Sequence, residues 1–166
     1  MKRVVVIKGG KRVTTREGSF VIKLSKKIIN SLKPHSKRIQ VVGSIRRNSQ
    51  NPTDIDIVLI PKDKNKIINL MSKKGKFIQG GEKESVFRIE DVKVELYYTI
   101  SDEWGAALLA YSSKKGSEIG LRMVAKRKGF KLNQHGLFKN EKLVAGKTER
   151  EIYSALGRPW KKPEDR

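Results

Sequence analysis

The 166-residue chain contains no cysteine, which excludes disulfides, thiolate zinc sites, iron–sulfur clusters and cysteine nucleophiles together. Acidic residues are scarce: seventeen Asp and Glu stand against thirty-eight Lys and Arg, a formal net charge of +21. No apolar run approaches the roughly eighteen residues a membrane-spanning helix needs. The opening segment from Met1 to Ile7 is a short apolar run ended by Lys8, without the layout of a secretory signal. An intracellular protein is expected, with no membrane partner. The 37% of hydrophobic residues argues against wholesale disorder, and the length suits one compact domain or two small ones.

So much positive charge disfavours compaction by self-repulsion and points to a polyanionic partner, with nucleic acid first. Residues 1–50 carry fourteen basic residues against one acidic, residues 51–100 nine against eight, and residues 101–166 fifteen against eight. A basic channel around an acidic centre would produce this pattern. The bland alternative is a lysine-rich chain whose ammonium groups only solvate its faces.

Val4–Ile7 and Arg12–Thr15 flank Gly9-Gly10 and predict a small basic hairpin over residues 1–18. From Ser19, a good N-cap, Phe20, Leu24, Ile28 and Leu32 recur at four-residue spacing and Pro34 ends an amphipathic helix. Arg38–Gly43 reads as a strand running into a turn, Asn48–Thr53 as a loop and Asp54–Ile60 as a buried strand stopped by Pro61. A helix over Lys62–Lys74 and strands near Lys76–Gln79, Ser85–Ile89 and Val92–Thr99 complete a unit with a mostly antiparallel or mixed sheet. Beyond Ser101 the pattern turns helical, at Trp104–Tyr111 and at Glu118–Lys128, with Ser112–Gly116 between them and Gly129 as a C-cap. A meander through Phe130, Gly136 and Lys142 leads to a last helix, with Thr148 as N-cap and Glu151 as its capping-box partner. The fold class is α+β, divided at residues 1–18, 19–104 and 105–166.

The chemistry-bearing constellation is Gly43-Ser44 and Arg46-Arg47 followed by Asp54-Ile55-Asp56. Two residues apart on a strand, Asp54 and Asp56 share a face, and their repulsion is relieved by divalent cations. All-oxygen ligands that leave room for phosphates suit Mg²⁺, with Mn²⁺ as a substitute. Backbone N–H groups at Gly43, the Ser44 hydroxyl and the Arg47 fork would serve a nucleoside triphosphate. The chemistry is hydroxyl attack on the α-phosphorus, one metal activating the nucleophile and the other steadying pyrophosphate. It calls for a third carboxylate. Asp91 and Glu95 are the candidates, but four residues are roughly 13 Å of extended strand, so only one can serve. Glu95 is favoured by its apolar neighbours Val94 and Leu96; the competing reading is carboxylates on a solvated edge.

Ser44 with its ten-residue spacing to Asp54, together with Asp56, Leu121–Asn133 (LRMVAKRKGFKLN), Gly136-Leu137-Phe138 and Leu156–Arg166 (LGRPWKKPEDR), resembles the family X DNA polymerases, the group of DNA polymerase beta. The likeness runs from residue 19 to 166. It implies a nucleotidyltransferase palm over residues 19–104 and a nucleotide-selecting, DNA-binding subdomain over 105–166, in a short form without an N-terminal lyase domain. It further implies that Asp54, Asp56 and Glu95 hold two Mg²⁺ ions, that Gly43, Ser44, Arg47 and Tyr111 contact the dNTP, and that Arg122, Asn133 and Gln134 contact DNA. The partners would be dNTP and a primer–template or gapped duplex, the state a monomer, and the role short-gap filling in repair. Glu95 departs from the family's Asp. Ala110-Tyr111-Ser112-Ser113 departs from aromatic-Phe-Thr-Gly, which bears on sugar discrimination. His135 reads either as a DNA contact or as an exposed loop residue.

Two other functions remain. A nucleotidyltransferase acting on RNA, protein or a small molecule would share the Asp pair and Gly-Ser but would not need the C-terminal match. A plain DNA-binding module would have no reason to place Asp54 and Asp56 on a basic surface.

Overall fold

β-Branched residues cluster at Val4–Ile7 and Val13–Thr15, and in the computed structural model, which describes residues 2–166, these stretches lie in β1 (Arg3–Lys8) and β2 (Lys11–Arg16). The strands pair antiparallel from Arg3↔Arg16 to Lys8↔Lys11 around Gly9-Gly10. Helix α1 (Gly18–Leu32) buries Val21, Leu24, Ile28 and Leu32 along one stripe, and a 3₁₀ turn at Lys33–His35 containing Pro34 follows it. Ser19 is not its N-cap. The helix starts earlier, its first bond running from the Val21 N–H to the Glu17 carbonyl. Gly18 lies so close to Gln50 and Asn51 that a side chain there would collide with their backbone, which sets the start.

Strands β3 (Ser36–Val42), β4 (Ile55–Pro61), β5 (Lys76–Gly80), β6 (Glu84–Ile89) and β7 (Val92–Tyr98) form one sheet in the order β3-β4-β7-β6-β5. Only β4 and β7 are parallel, so the sheet is mixed. Between β3 and β4 lie a short helix α2 (Gly43–Arg46) and the loop. Helix α3 (Lys64–Lys74) starts two residues after the expected Lys62, because the Asp63 side chain accepts the Asn65 and Lys66 N–H groups as its cap.

One core joins the α1 stripe, Ile67 and Met71 of α3, and Ile55, Ile57, Leu59, Phe87, Val92, Val94 and Leu96 of the sheet. Each such burial stabilises the fold by about 1.5–3 kcal/mol. Side chains alternate across a sheet, so this packing consigns Asp56, Glu95 and Tyr97 to the opposite face. The core therefore aims the acids.

The chain divides into two compact units, Met1–Tyr98 and Thr99–Arg166. Residues 99–104, which the sequence pattern places in the first unit, belong to the second. The Gly105 and Ala106 N–H groups bond to the Lys147 and Gly146 carbonyls, and Glu103 holds His135, so this segment is tied into the C-terminal unit.

That unit comprises α4 (Trp104–Ser112), α5 (Lys115–Arg127), β8 (Lys131–Asn133), β9 (Gly136–Lys139), β10 (Lys142–Ala145) and α6 (Glu149–Ala155). The strands form a meander in the order β10-β9-β8. Leu109, Ala125, Leu132, Leu137, Ile152 and Leu156 are central to its core. Helix α5 begins at Lys115, three residues before the expected Glu118; the Glu118 N–H bonds to the Lys114 carbonyl, leaving only Ser113 and Lys114 as linker. Its end is a Schellman cap: Phe130 N–H to the Ala125 carbonyl and Gly129 N–H to the Lys126 carbonyl. At α6 the Thr148 hydroxyl accepts the Glu151 N–H at 3.1 Å. The Glu151 carboxylate reaches past it to the Gly146 and Lys147 N–H groups at 2.8 and 2.7 Å. Glu149 and Arg166 form a buried ion pair at 2.6 Å. Among the described residues no helix is long and apolar enough to cross a membrane.

Candidate active site

The parallel register of β4 and β7 sets Ile55 opposite Val94 and Asp56 opposite Glu95, so two carboxylates become lateral neighbours on one sheet face. Asp54, expected on the strand, lies one residue ahead of it. The ladder starts only at Ile55, because the preceding loop packs against the start of α1. Asp54 is still close enough for its charge to act on Asp56. Asp91, the other candidate acid, does not join this cluster. It occupies the β6–β7 turn with φ 65° and pairs with Arg3, whereas Glu95 stands in the body of the sheet.

Asp56 is the electrostatic centre. Burial, then the charges of Glu95 and Asp54, push its carboxyl up to about 6, against the opposing pull of Lys93 and a long hydrogen bond from Tyr97 at 3.5 Å. Burial also raises Glu95, but the Lys93 ammonium at 2.5 Å and the Tyr97 hydroxyl at 2.6 Å outweigh it and hold Glu95 below its ordinary value. Lys93 is raised in turn, chiefly by its bond to Glu95. Lys8, at the tip of the β1–β2 hairpin, pairs with Asp54.

Gly43 is fitted to this cluster. Its φ of 63° is left-handed, and a Cβ there would overlap the Asp56 carboxylate, so only glycine brings the end of β3 this close. Ser44 follows in α2, whose turn continues through Arg47 N–H to the Gly43 carbonyl and Ser49 N–H to the Ser44 carbonyl. Burial lowers Arg47 while the charge of Asp56 raises it, which places the guanidinium within electrostatic reach of the acids. Gly43, Ser44, Arg47, Asp54, Asp56 and Glu95 are thus gathered in the N-terminal unit.

The donor set suits a divalent cation: three carboxylates, all oxygen, of which Asp56 is partly buried and raised by that burial and by the charges of the other two. Among the described residues, however, no three acidic or histidine side chains converge as a ready ligand group. Asp54 and Glu95 are turned to lysines.

In the C-terminal unit, Tyr111 is half-buried on α4 and Arg122 lies on α5, paired with Glu118 one turn before it. A cavity of about 400 Å³ is lined by Leu109, Ala110, Arg122, Asn133, Arg158 and Lys161, among others. It brings Arg122 and Asn133 together. The Asn133 side-chain oxygen accepts the His135 N–H at 2.8 Å, shaping the β8–β9 turn that carries Gln134. His135 is neither exposed nor free, since Glu103 holds its ring at 2.9 Å.

Sequence reasoning passed over Lys8, Lys93 and Tyr97. The latter two share the parity of Glu95 along β7, so strand alternation alone could have found them. No local signal marks Lys8.

This is the palm arrangement of a nucleotidyltransferase, and comparison with known proteins narrows it. The DNA polymerase beta thumb model matches residues 107–166. The chain is 31% identical to Repair DNA polymerase X of African swine fever virus (isolate Tick/South Africa/Pretoriuskop Pr4/1996), over 98% of this chain and 99% of that protein. DNA polymerase IV of Saccharomyces cerevisiae is 42% identical over 39% of this chain and 11% of its own length. The fold matches the crystal structure of Leishmania infantum polymerase beta in a ternary P/T complex, with a TM-score of 0.79 and 17% identity, covering 90% of this chain and 76% of that one. The chain belongs to the family X DNA polymerases.

Proposed function

We propose that this family X polymerase transfers deoxynucleoside monophosphates from dNTPs to a primer 3′-OH on a gapped duplex, filling short gaps in DNA repair. The observation that carries the reading is the register of β4 on β7, which sets Asp56 beside Glu95, with Asp54 next to them and Gly43 packed against Asp56. In the reaction the primer oxygen bonds to the α-phosphorus, the bond from that phosphorus to the bridging oxygen breaks, and pyrophosphate leaves as the hydroxyl proton is lost.

Asp54, Asp56 and Glu95 would hold two Mg²⁺ ions. When bound, the metal supplies Lewis acidity that eases deprotonation of the primer hydroxyl and offsets charge on pyrophosphate. Ser44 and Arg47 orient the triphosphate from the α2 turn, and the Arg47 fork suits two phosphate oxygens. Tyr111 borders the sugar. Arg122, with Asn133 and Gln134, faces the template strand; the Asn133 amide N–H₂ group serves, because its oxygen is committed to the turn. The basic flanks grip the phosphates, each contact adding roughly 0.9 to the log–log salt slope of binding. The enzyme acts as a monomer inside the cell.

Primer extension on a one-nucleotide gap with Mg²⁺ tests the reading. The native chain should insert the templated nucleotide and Asp54→Ala should not. Template-independent addition, or equal activity in the variant, would overturn it.

A further inference from the structure

The β1–β2 hairpin has no part in the chemistry described above, yet its tip reaches the acids. Lys8, the last residue of β1, places its ammonium on Asp54 Oδ2, and its charge also lowers Glu95. The base of the hairpin is fastened separately. Arg3 pairs with Asp91, and the Arg16 guanidinium donates to the Glu90 carbonyl and stacks on Phe20 at 3.4 Å. Both anchors lie away from the tip, so the hairpin is held at its base whether or not Lys8 stays on Asp54. Lys11, directly across the strand pair from Lys8, has the same charge at the same tip and makes no ion pair with the acids among the described contacts.

We propose that Lys8 is a tethered counter-ion that competes with a divalent cation for Asp54, so that loading the proposed metal site requires the hairpin tip to release this carboxylate. The inference rests on the metal-dependent reading of the site and concerns how that site is regulated. An ammonium on Oδ2 uses the lone pairs a metal needs, so the two ligands exclude each other at that oxygen. Apparent metal affinity is then reduced by the fraction of molecules in which Asp54 is paired. Lys93 makes the analogous contact with Glu95, but its backbone is fixed on β7 inside the sheet, whereas Lys8 is carried at the tip of a two-stranded hairpin. A partly exposed ion pair makes this a modest, reversible gate.

Two measurements on the full chain with metal alone test it. In calorimetric titration with Mn²⁺, Lys8→Gln should bind about threefold to fivefold more tightly than the native chain, the scale of one partly exposed ion pair. Lys11→Gln removes the same charge from the same tip and should change affinity by less than about twofold. In the native chain, acetylation of Lys8 relative to Lys11, read by mass spectrometry, should rise when Mg²⁺ is added, and Asp54→Asn should abolish that dependence. Equal tightening in both variants would mean that only the general field of the hairpin matters and would overturn the proposal. So would unchanged affinity in Lys8→Gln, or Lys8 labelling indifferent to Mg²⁺. Absence of metal binding in every variant would instead remove the metal site itself, and this inference with it.

Discussion

The two units use ion pairs in opposite ways. At the acidic cluster, the Lys8 and Asp54 side chains retain 55% and 26% of their exposure, whereas in the C-terminal unit Arg166 and Glu149 retain 1% and 7%. Water can replace a partner in the first pair, and a metal is proposed to do so. Water scarcely reaches the charges of the second, which the partner stabilises together with fixed protein groups such as the Lys161 carbonyl on Arg166. Burial therefore decides whether a charge pair is an exchangeable contact or a structural lock, and the chain places exchangeable pairs where chemistry is proposed and a locked pair where the fold must hold.

The contrast breaks if charges in the two units prove interchangeable in effect. The largest expected effect is on catalysis: Asp56→Asn should lower insertion by at least about a thousandfold, or about 4 kcal/mol of barrier. Its thermal midpoint by circular dichroism should not fall, because the variant removes a carboxyl that burial and like charges already disfavour. Next comes Glu149→Ala, which leaves the Arg166 charge buried and should destabilise the C-terminal unit by about 3 kcal/mol. Both tryptophans, Trp104 and Trp160, lie in that unit, so the midpoint of their fluorescence change in urea reports it.

The smallest effect sharpens the comparison in pH. The backbone N–H of Gly146, the largest influence, with those of Lys147 and Thr148 holds Glu151 below its ordinary value of 4.5, against the opposing push of burial. A depressed folded pKa contributes stability that is fully present above the unfolded value and lost as pH falls through the folded one. The fluorescence midpoint of the native chain should therefore decline as pH drops below about 4.5, and Glu151→Gln should flatten that decline.

Much of this was legible in the chain. Strand alternation at Val92, Val94 and Leu96 and the four-residue spacing of Leu24, Ile28 and Leu32 report directly on burial, so the sheet and α1 could be drawn without coordinates. The pair Asp54 and Asp56, with Gly43 upstream, was legible because two like charges at the head of an apolar strand repel each other unless a cation joins them. The start of α5 was not, because Lys115-Gly116-Ser117 carries loop residues in a turn whose bonds to Lys114 come from local geometry. Ser19 failed as a cap for a tertiary reason, the contact of Gly18 with the loop before β4. Lys8 on Asp54 spans forty-six residues, and no periodicity carries information over such a distance.

On the proposed reading, the cluster on β4 and β7 performs templated nucleotidyl transfer. The most direct test is insertion of single dNTPs, with Mg²⁺, into a one-nucleotide gap opposite each of the four template bases, for the native chain and Asp56→Asn side by side. Insertion should follow the template base and fall by at least about a thousandfold in a variant that remains folded. Addition indifferent to the template, or undiminished in Asp56→Asn, would contradict it.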